Sequence, residues 1–131
     1  MAVVPPLTDD TAGADALAVF KDIRAKRDTD YINNFWRALA ADPALLAAIW
    51  GRLQTVMAPG ALDPLTKELI YVAVSVTNGC GYCTHSHTAA ARAKGMTDAQ
   101  HGELMAVIAM AAQTNALATA MQVETDARFL V

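Results

Sequence analysis

Asp-Pro occurs twice in this chain, at Asp42-Pro43 and Asp63-Pro64, and these pairs constrain the fold more than any other feature. An aspartate at the N-cap accepts a hydrogen bond from one of the first amides of a helix. A proline directly after it suits the first helical position, where the amide has no helical partner to lose. Each pair therefore starts a helix. One runs from Pro43 to about Met57 and is ended by Pro59-Gly60; the other is closed by Asn78-Gly79. In the latter, Leu65, Leu69, Val72 and Val76 form an apolar stripe at helical spacing. That stripe and the cap outweigh the strand preference of the β-branched run Val72 to Thr77.

The remaining segments read the same way. A helix is predicted from about Gly13 to Lys26, with Leu17, Phe20 and Ile23 on one face. Asp28-Thr29-Asp30 breaks it, and another helix is predicted over about 31–41. A further helix starts within Cys80–Cys83 and stops at Lys94-Gly95. Thr97-Asp98-Ala99-Gln100 is a capping box that opens the next, expected to reach about Gln113. Thr114-Asn115 is expected to kink it or part it from a last helical stretch ending near Phe129. Residues 1–12, with Pro5 and Pro6, are expected to form a loose N-terminal arm. No strand is predicted, so the expected fold class is all-α, a single compact domain of about six helices over residues 1–131. The 28 alanines agree with this, because alanine favours helix and lets helices approach closely.

Hydrophobic residues make up 54% of the chain, high for 13.9 kDa, and the excess is read as a subunit interface. Trp36, Trp50, Met105, Met110 and Met121 are read as core or interface packing rather than as a cofactor box. His101 is expected to be solvent-exposed, and Lys21 to Arg27 to be a solvated helix face. A net charge of −3 with no basic stripe gives no reason to expect a nucleic-acid partner. The N-terminus lacks the basic region and apolar core of a secretion signal. The longest apolar run, Leu104 to Ala112, is too short to span a bilayer. The expected location is the cytoplasm, with no membrane partner. Thiols there are kept reduced, so two close cysteines point to redox or metal chemistry rather than a static bridge.

Those cysteines lie in Cys80-Gly81-Tyr82-Cys83-Thr84-His85-Ser86-His87. Helical residues three apart have α-carbons about 5 Å apart, which a disulfide tolerates, so the pair can open and close with little backbone movement. As a staple it is weak, since so short a loop contributes only about 2 kcal/mol. A thiolate at a helix start is stabilised by free amides and the helix dipole. Cys80 sits nearer that cap, whereas Cys83 has His87 four residues on, a helical neighbour able to take its proton. The residues alone leave the choice between the cysteines open. His85, two residues from Cys83, points elsewhere on a helix. Glu68 lies among Leu65, Leu69 and Val72, and periodicity alone would put it on the solvent face.

Taken together, Glu68, Cys80, Cys83 and His87 resemble, in type and spacing, the pattern of the alkylhydroperoxidase AhpD / carboxymuconolactone decarboxylase superfamily. The string Asn78-Gly79-Cys80-Gly81-Tyr82-Cys83 and Pro43-Ala44-Leu45-Leu46 also match. The resemblance implies an all-α subunit that assembles with copies of itself, and reduction of small-molecule peroxides without a bound cofactor. It makes Cys83 the peroxidatic and Cys80 the resolving cysteine, and brings Glu68 into the site as partner of His87 in a proton relay. It implies a dithiol reductant, either a protein-bound lipoyl group or a thioredoxin-like protein. The chain departs from AhpD proper at Tyr82, where that protein has a histidine. Tyrosine is no base near neutral pH, and its expected part is to donate a hydrogen bond. The chain is also shorter than AhpD and resembles the single-unit members, which favours a hexamer over a trimer. The decarboxylase branch lacks the cysteine pair, so its reaction does not carry over. Two alternatives remain: a non-enzymatic redox sensor or helical binding module, and a zinc site of Cys80, Cys83, His85 and His87. The last is hard to assemble from four ligands within eight residues of one helix.

Overall fold

A computed structural model of the chain describes residues 2–130, and among them every regular element is helical. The elements are α1 (Ala14–Arg27), α2 (Asn34–Leu39), α3 (Pro43–Met57), α4 (Pro64–Thr77), α5 (Gly81–Ala93) and α6 (Asp98–Ala120), then a 3-10 turn at Ala127–Phe129. They fall into two compact units that meet in sequence at Ala58 and Pro59.

The first unit packs α1, α2 and α3 around Phe20, Ile23, Ile32, Trp36, Leu46 and Trp50. The two tryptophans meet edge to face, with ring centroids 5.4 Å apart, a favoured aromatic geometry. The Arg27 guanidinium lies over both rings, and the Trp50 indole N–H donates to Asp22 at 2.7 Å. The predicted solvated face of α1 thus also covers the edge of the core. Asp42 accepts from the Leu45 amide, as its place before Pro43 predicts. Residues 7–12 are tied down rather than loose. Leu7 exchanges hydrogen bonds with Arg37 at 3.0 Å, and Asp9 pairs with both Arg24 and Arg37. The helix expected over 31–41 is shorter, because the chain through Asn33 is extended before α2 begins at Asn34.

The second unit is built on α4, against which α5 and α6 pack. Asp63 caps α4 by accepting from the Thr66 amide at 3.0 Å. The residues α4 buries are Glu68, Val72 and Ser75, whereas Val76, expected on the apolar stripe, is exposed. The capping box at the start of α6 is complete: the Gln100 amide donates to Thr97 Oγ1 and the Thr97 amide to Gln100 Oε1. Thr114-Asn115 does not part α6 from a further helix. Thr114 turns its hydroxyl back onto the carbonyls of Met110 and Ala111, which a helix interior accommodates, and α6 continues to Ala120. His101 is half-buried rather than exposed.

Leu46 is fully buried in the first unit. Leu46→Ala is expected to lower unfolding free energy by about 3 kcal/mol, read from the urea midpoint at constant m-value.

Candidate active site

The turn between α4 and α5 fixes the cysteine pair. Gly79 has φ +68°, a left-handed conformation glycine adopts without a Cβ clash. The Gly79 amide donates to the Val76 carbonyl and the Cys80 amide to the Ser75 carbonyl, the paired bonds of a Schellman stop. Cys80 is therefore the residue that finishes α4, and it is also the N-cap of α5. Its sulfur accepts the Cys83 amide at 3.2 Å. Cys80 and Cys83 form a disulfide with α-carbons 5.3 Å apart, as helical spacing predicts. The bond joins the two sulfurs that the zinc alternative requires. Among the described residues no cluster of three or more His, Cys, Asp or Glu is arranged to hold a metal.

Because the turn is so short, α5 runs back along α4. Ser75 meets Cys80, Tyr71 meets His87 and Glu68 meets Lys94. Numbers fall along one helix as they rise along the other. This register carries Glu68, nineteen residues before His87, onto its ring: Glu68 Oε2 lies 2.7 Å from His87 Nδ1. Lys94 Nζ donates to the other carboxylate oxygen at 2.9 Å, and the Tyr71 ring stacks on the imidazole with centroids 3.5 Å apart.

Glu68 is only 4% exposed, so the solvent-face reading from periodicity does not hold. Burial by itself pushes its carboxyl up. The hydrogen bonds and positive charge of His87 and Lys94 outweigh that and hold it below the usual carboxylate range. An anionic Glu68 requires an N–H at Nδ1, which leaves Nε2 of a neutral imidazole as an acceptor. His87 stands four residues after Cys83 on α5, one turn along the same face. His85 is exposed, and Tyr82 is nearly half exposed beside Cys83.

Glu68, Cys80, Cys83 and His87 thus gather on one helical hairpin. Tyr71 and Lys94 were not singled out from sequence. Their signal was there: Tyr71 is one turn after Glu68 and Lys94 two turns after His87, so each shares a face with a site residue.

The sequence profile of the carboxymuconolactone decarboxylase family matches residues 43–126. The chain belongs to that family. Its fold is that of the alkylhydroperoxidase AhpD core from Rhodospirillum rubrum, a crystal structure 60% identical to it with a TM-score of 0.96. The match covers 100% of this chain and 98% of that one. Among curated relatives, an alkyl hydroperoxide reductase AhpD of Solibacter usitatus is 37% identical over 75 residues, which is 57% of this chain and 40% of that protein. An uncharacterized protein of Cupriavidus necator is 36% identical over 58% of this chain and 68% of its own length. The aligned region spans less than half the length of the curated AhpD relatives. Among the described residues no helix is long and apolar enough to cross a membrane.

Since the folded-state carboxyl of Glu68 is held below its ordinary value of 4.5, the stability it contributes is complete above that pH. It drains away as pH falls through the lowered value. In urea melts taken at successively lower pH, Glu68→Gln is expected to flatten the loss of midpoint below about pH 4.5 relative to the parent chain. An unchanged acid slope would show that Glu68 is not the group being titrated.

Proposed function

We propose that this protein is a thiol-dependent, alkylhydroperoxidase-like enzyme that reduces small-molecule peroxides through Cys80 and Cys83. The observation that carries the reading is the disulfide pair on the same hairpin as an anion-backed imidazole.

With Glu68 anionic and Nδ1 carrying a proton, Nε2 of His87 takes the Cys83 proton. The Cys83 thiolate attacks one peroxide oxygen. The S–O bond forms, the O–O bond breaks, and the departing alkoxide or hydroxide takes the proton from His87 as alcohol or water. Cys83 is left as sulfenic acid. The Cys80 sulfur then attacks Cys83; the S–S bond forms, the S–O bond breaks and water leaves. Two electrons from an external dithiol, such as a lipoyl group or a thioredoxin-like protein, return both thiols by exchange. Cys80 suits the resolving role because its sulfur already caps the Cys83 amide. Tyr82, nearly half exposed and next to Cys83 in the chain, supplies a hydrogen-bond donor and not a base. The site is placed in the cytoplasm, where reductant is available.

The assembly is a second part of the proposal. No residue of α6 is buried, and Val107, Met110, Leu117 and Met121 are all at least half exposed. Together with Thr114 they alternate three and four residues apart, an apolar seam suited to another helix. A second copy of this chain is the occupant, within a homo-oligomer for which a hexamer is favoured over a trimer.

Peroxide consumption in the presence of dithiothreitol tests the chemistry. Cys83→Ser is expected to abolish turnover, and Cys80→Ser to leave a dimedone-trappable sulfenic acid at Cys83. His87→Ala and Glu68→Gln should each slow turnover by about a hundredfold. Normal activity in Cys83→Ser would overturn the peroxidatic assignment, and a parent chain that forms the disulfide without turning over favours the sensor. Light scattering tests the assembly: Leu117→Glu should reduce the solution mass, and a parent chain that is already monomeric would sink the proposal.

A further inference from the structure

Lys94 has no part in the chemistry above, yet it holds one of the two oxygens of the carboxylate behind His87. Its place is built by the fold. Lys94 is the C-cap of α5, followed by Gly95 at φ +96°. The Gly95 amide donates to the Arg92 carbonyl and the Met96 amide to the Ala91 carbonyl, a second Schellman stop. Ala91 and Met96 are buried, which anchors the turn. From there Nζ reaches Glu68 Oε1 at 2.9 Å, while the side chain stays 38% exposed. A cation is favourable at a helix C-terminus in any case.

We propose that Lys94 is a positioning residue of this site. It takes Glu68 Oε1 so that Oε2 is presented to His87, and it neutralises the carboxylate so that the imidazole is not required to remain cationic beside it. This rests on the assignment of Cys83 and His87 above. With Lys94 and Glu68 charged, the group is neutral when Cys83 is a thiol and His87 an imidazole. It is neutral again after the proton moves, as thiolate plus imidazolium. Transfer conserves that total, so with Lys94 in place the half-buried site carries no net charge in either state.

The other charged and titratable groups of these elements are few. On α4 they are Lys67 beside Glu68 and Tyr71 on the His87 ring. On α5 they are Tyr82, exposed His85 and Arg92, which is engaged by Asp98 at 2.7 Å. On α6, packed against α4, they are Asp98, His101 and Glu103, all within its first two turns. Glu68 owes its retained charge to His87 and Lys94. Removing the lysine charge makes every group coupled to the carboxylate hold its proton more tightly.

The test is iodoacetamide alkylation of the fully reduced protein against pH, followed at each cysteine by peptide mass spectrometry. Lys94→Met is expected to move the Cys83 midpoint up by about half a pH unit, and Lys94→Arg to keep the parent midpoint. Lys94→Gln, also uncharged, replaces Lys94→Met if that variant is not helical by circular dichroism. A folded, uncharged variant with the parent midpoint overturns the proposal, as does an arginine variant that shifts like methionine. The readout needs no peroxide, so a parent chain without peroxidase turnover sinks the functional reading and leaves the result for Lys94 standing.

Discussion

A carboxylate in the packed face of a helix has to be answered by the helix beside it, and Glu68 sets that demand for the second unit. It shares the buried stripe of α4 with Val72 and Ser75, where an unpaired charge would cost several kcal/mol. His87 and Lys94 answer it from α5, one on each oxygen. Burial alone would push its carboxyl up; the two donors outweigh that and hold it below the usual range. The register of α5 on α4 is thus fixed by chemistry as well as by shape, because a slide of one turn would strand the carboxylate. Arrangements of this kind are weak sources of stability but strong sources of specificity when every partner is present.

The two Schellman stops give that register its reach. Gly79 lets the chain reverse at once, so that Cys80 ends α4 and caps α5 in the same residue. Gly95 does the same at the far end and leaves Lys94 opposite Glu68. A longer connection at Gly79 would loosen the alignment on which the Glu68–His87 contact depends. The cap also bears on the two cysteines. The Cys80 sulfur already holds an amide of its own helix, while Cys83 stands one turn from His87. Capping favours an anion at Cys80 and the histidine favours proton removal at Cys83, which is why the residues alone left the choice open.

Local chemistry was legible where it is decided by neighbours in sequence. Asp42 and Asp63 cap as their prolines announce, and the Thr97–Gln100 box closes reciprocally. The α-carbon spacing of the cysteines matches the helical expectation, although Cys80 is the N-cap of α5 and not one of its helical residues. What periodicity misjudged depended on tertiary partners. Glu68 reads as a solvent residue unless a cation is known to face it, and that cation arrives from the far end of the next helix. Val76 belongs to the apolar stripe by spacing, but the stripe that α4 buries runs through Glu68, Val72 and Ser75. Thr114-Asn115 reads as a break because both residues favour turns, yet the threonine hydroxyl is satisfied by its own helix. Lys94 reads as a helix end and nothing more, since capping signals do not say what a long side chain will reach.

The last helix raises a different physical question. In water, helices draw most of their stability from packing an apolar face, and propensity alone is marginal. Alanine suits α6 to helix, but the helix buries no residue and carries bulky apolar side chains at Val107, Met110 and Leu117, with Met121 at its C-cap. A solvated surface helix would place charges along at least one face, yet beyond Glu103 the helix contains none to its end at Ala120. Such a sequence is costly to expose and prone to uncontrolled association. The proposed assembly of copies would resolve this, because it would cover the seam with an identical one and limit how many chains can join. The alanine-rich composition then has two uses. It favours helix in the free chain and would permit close approach of backbones in the proposed assembly.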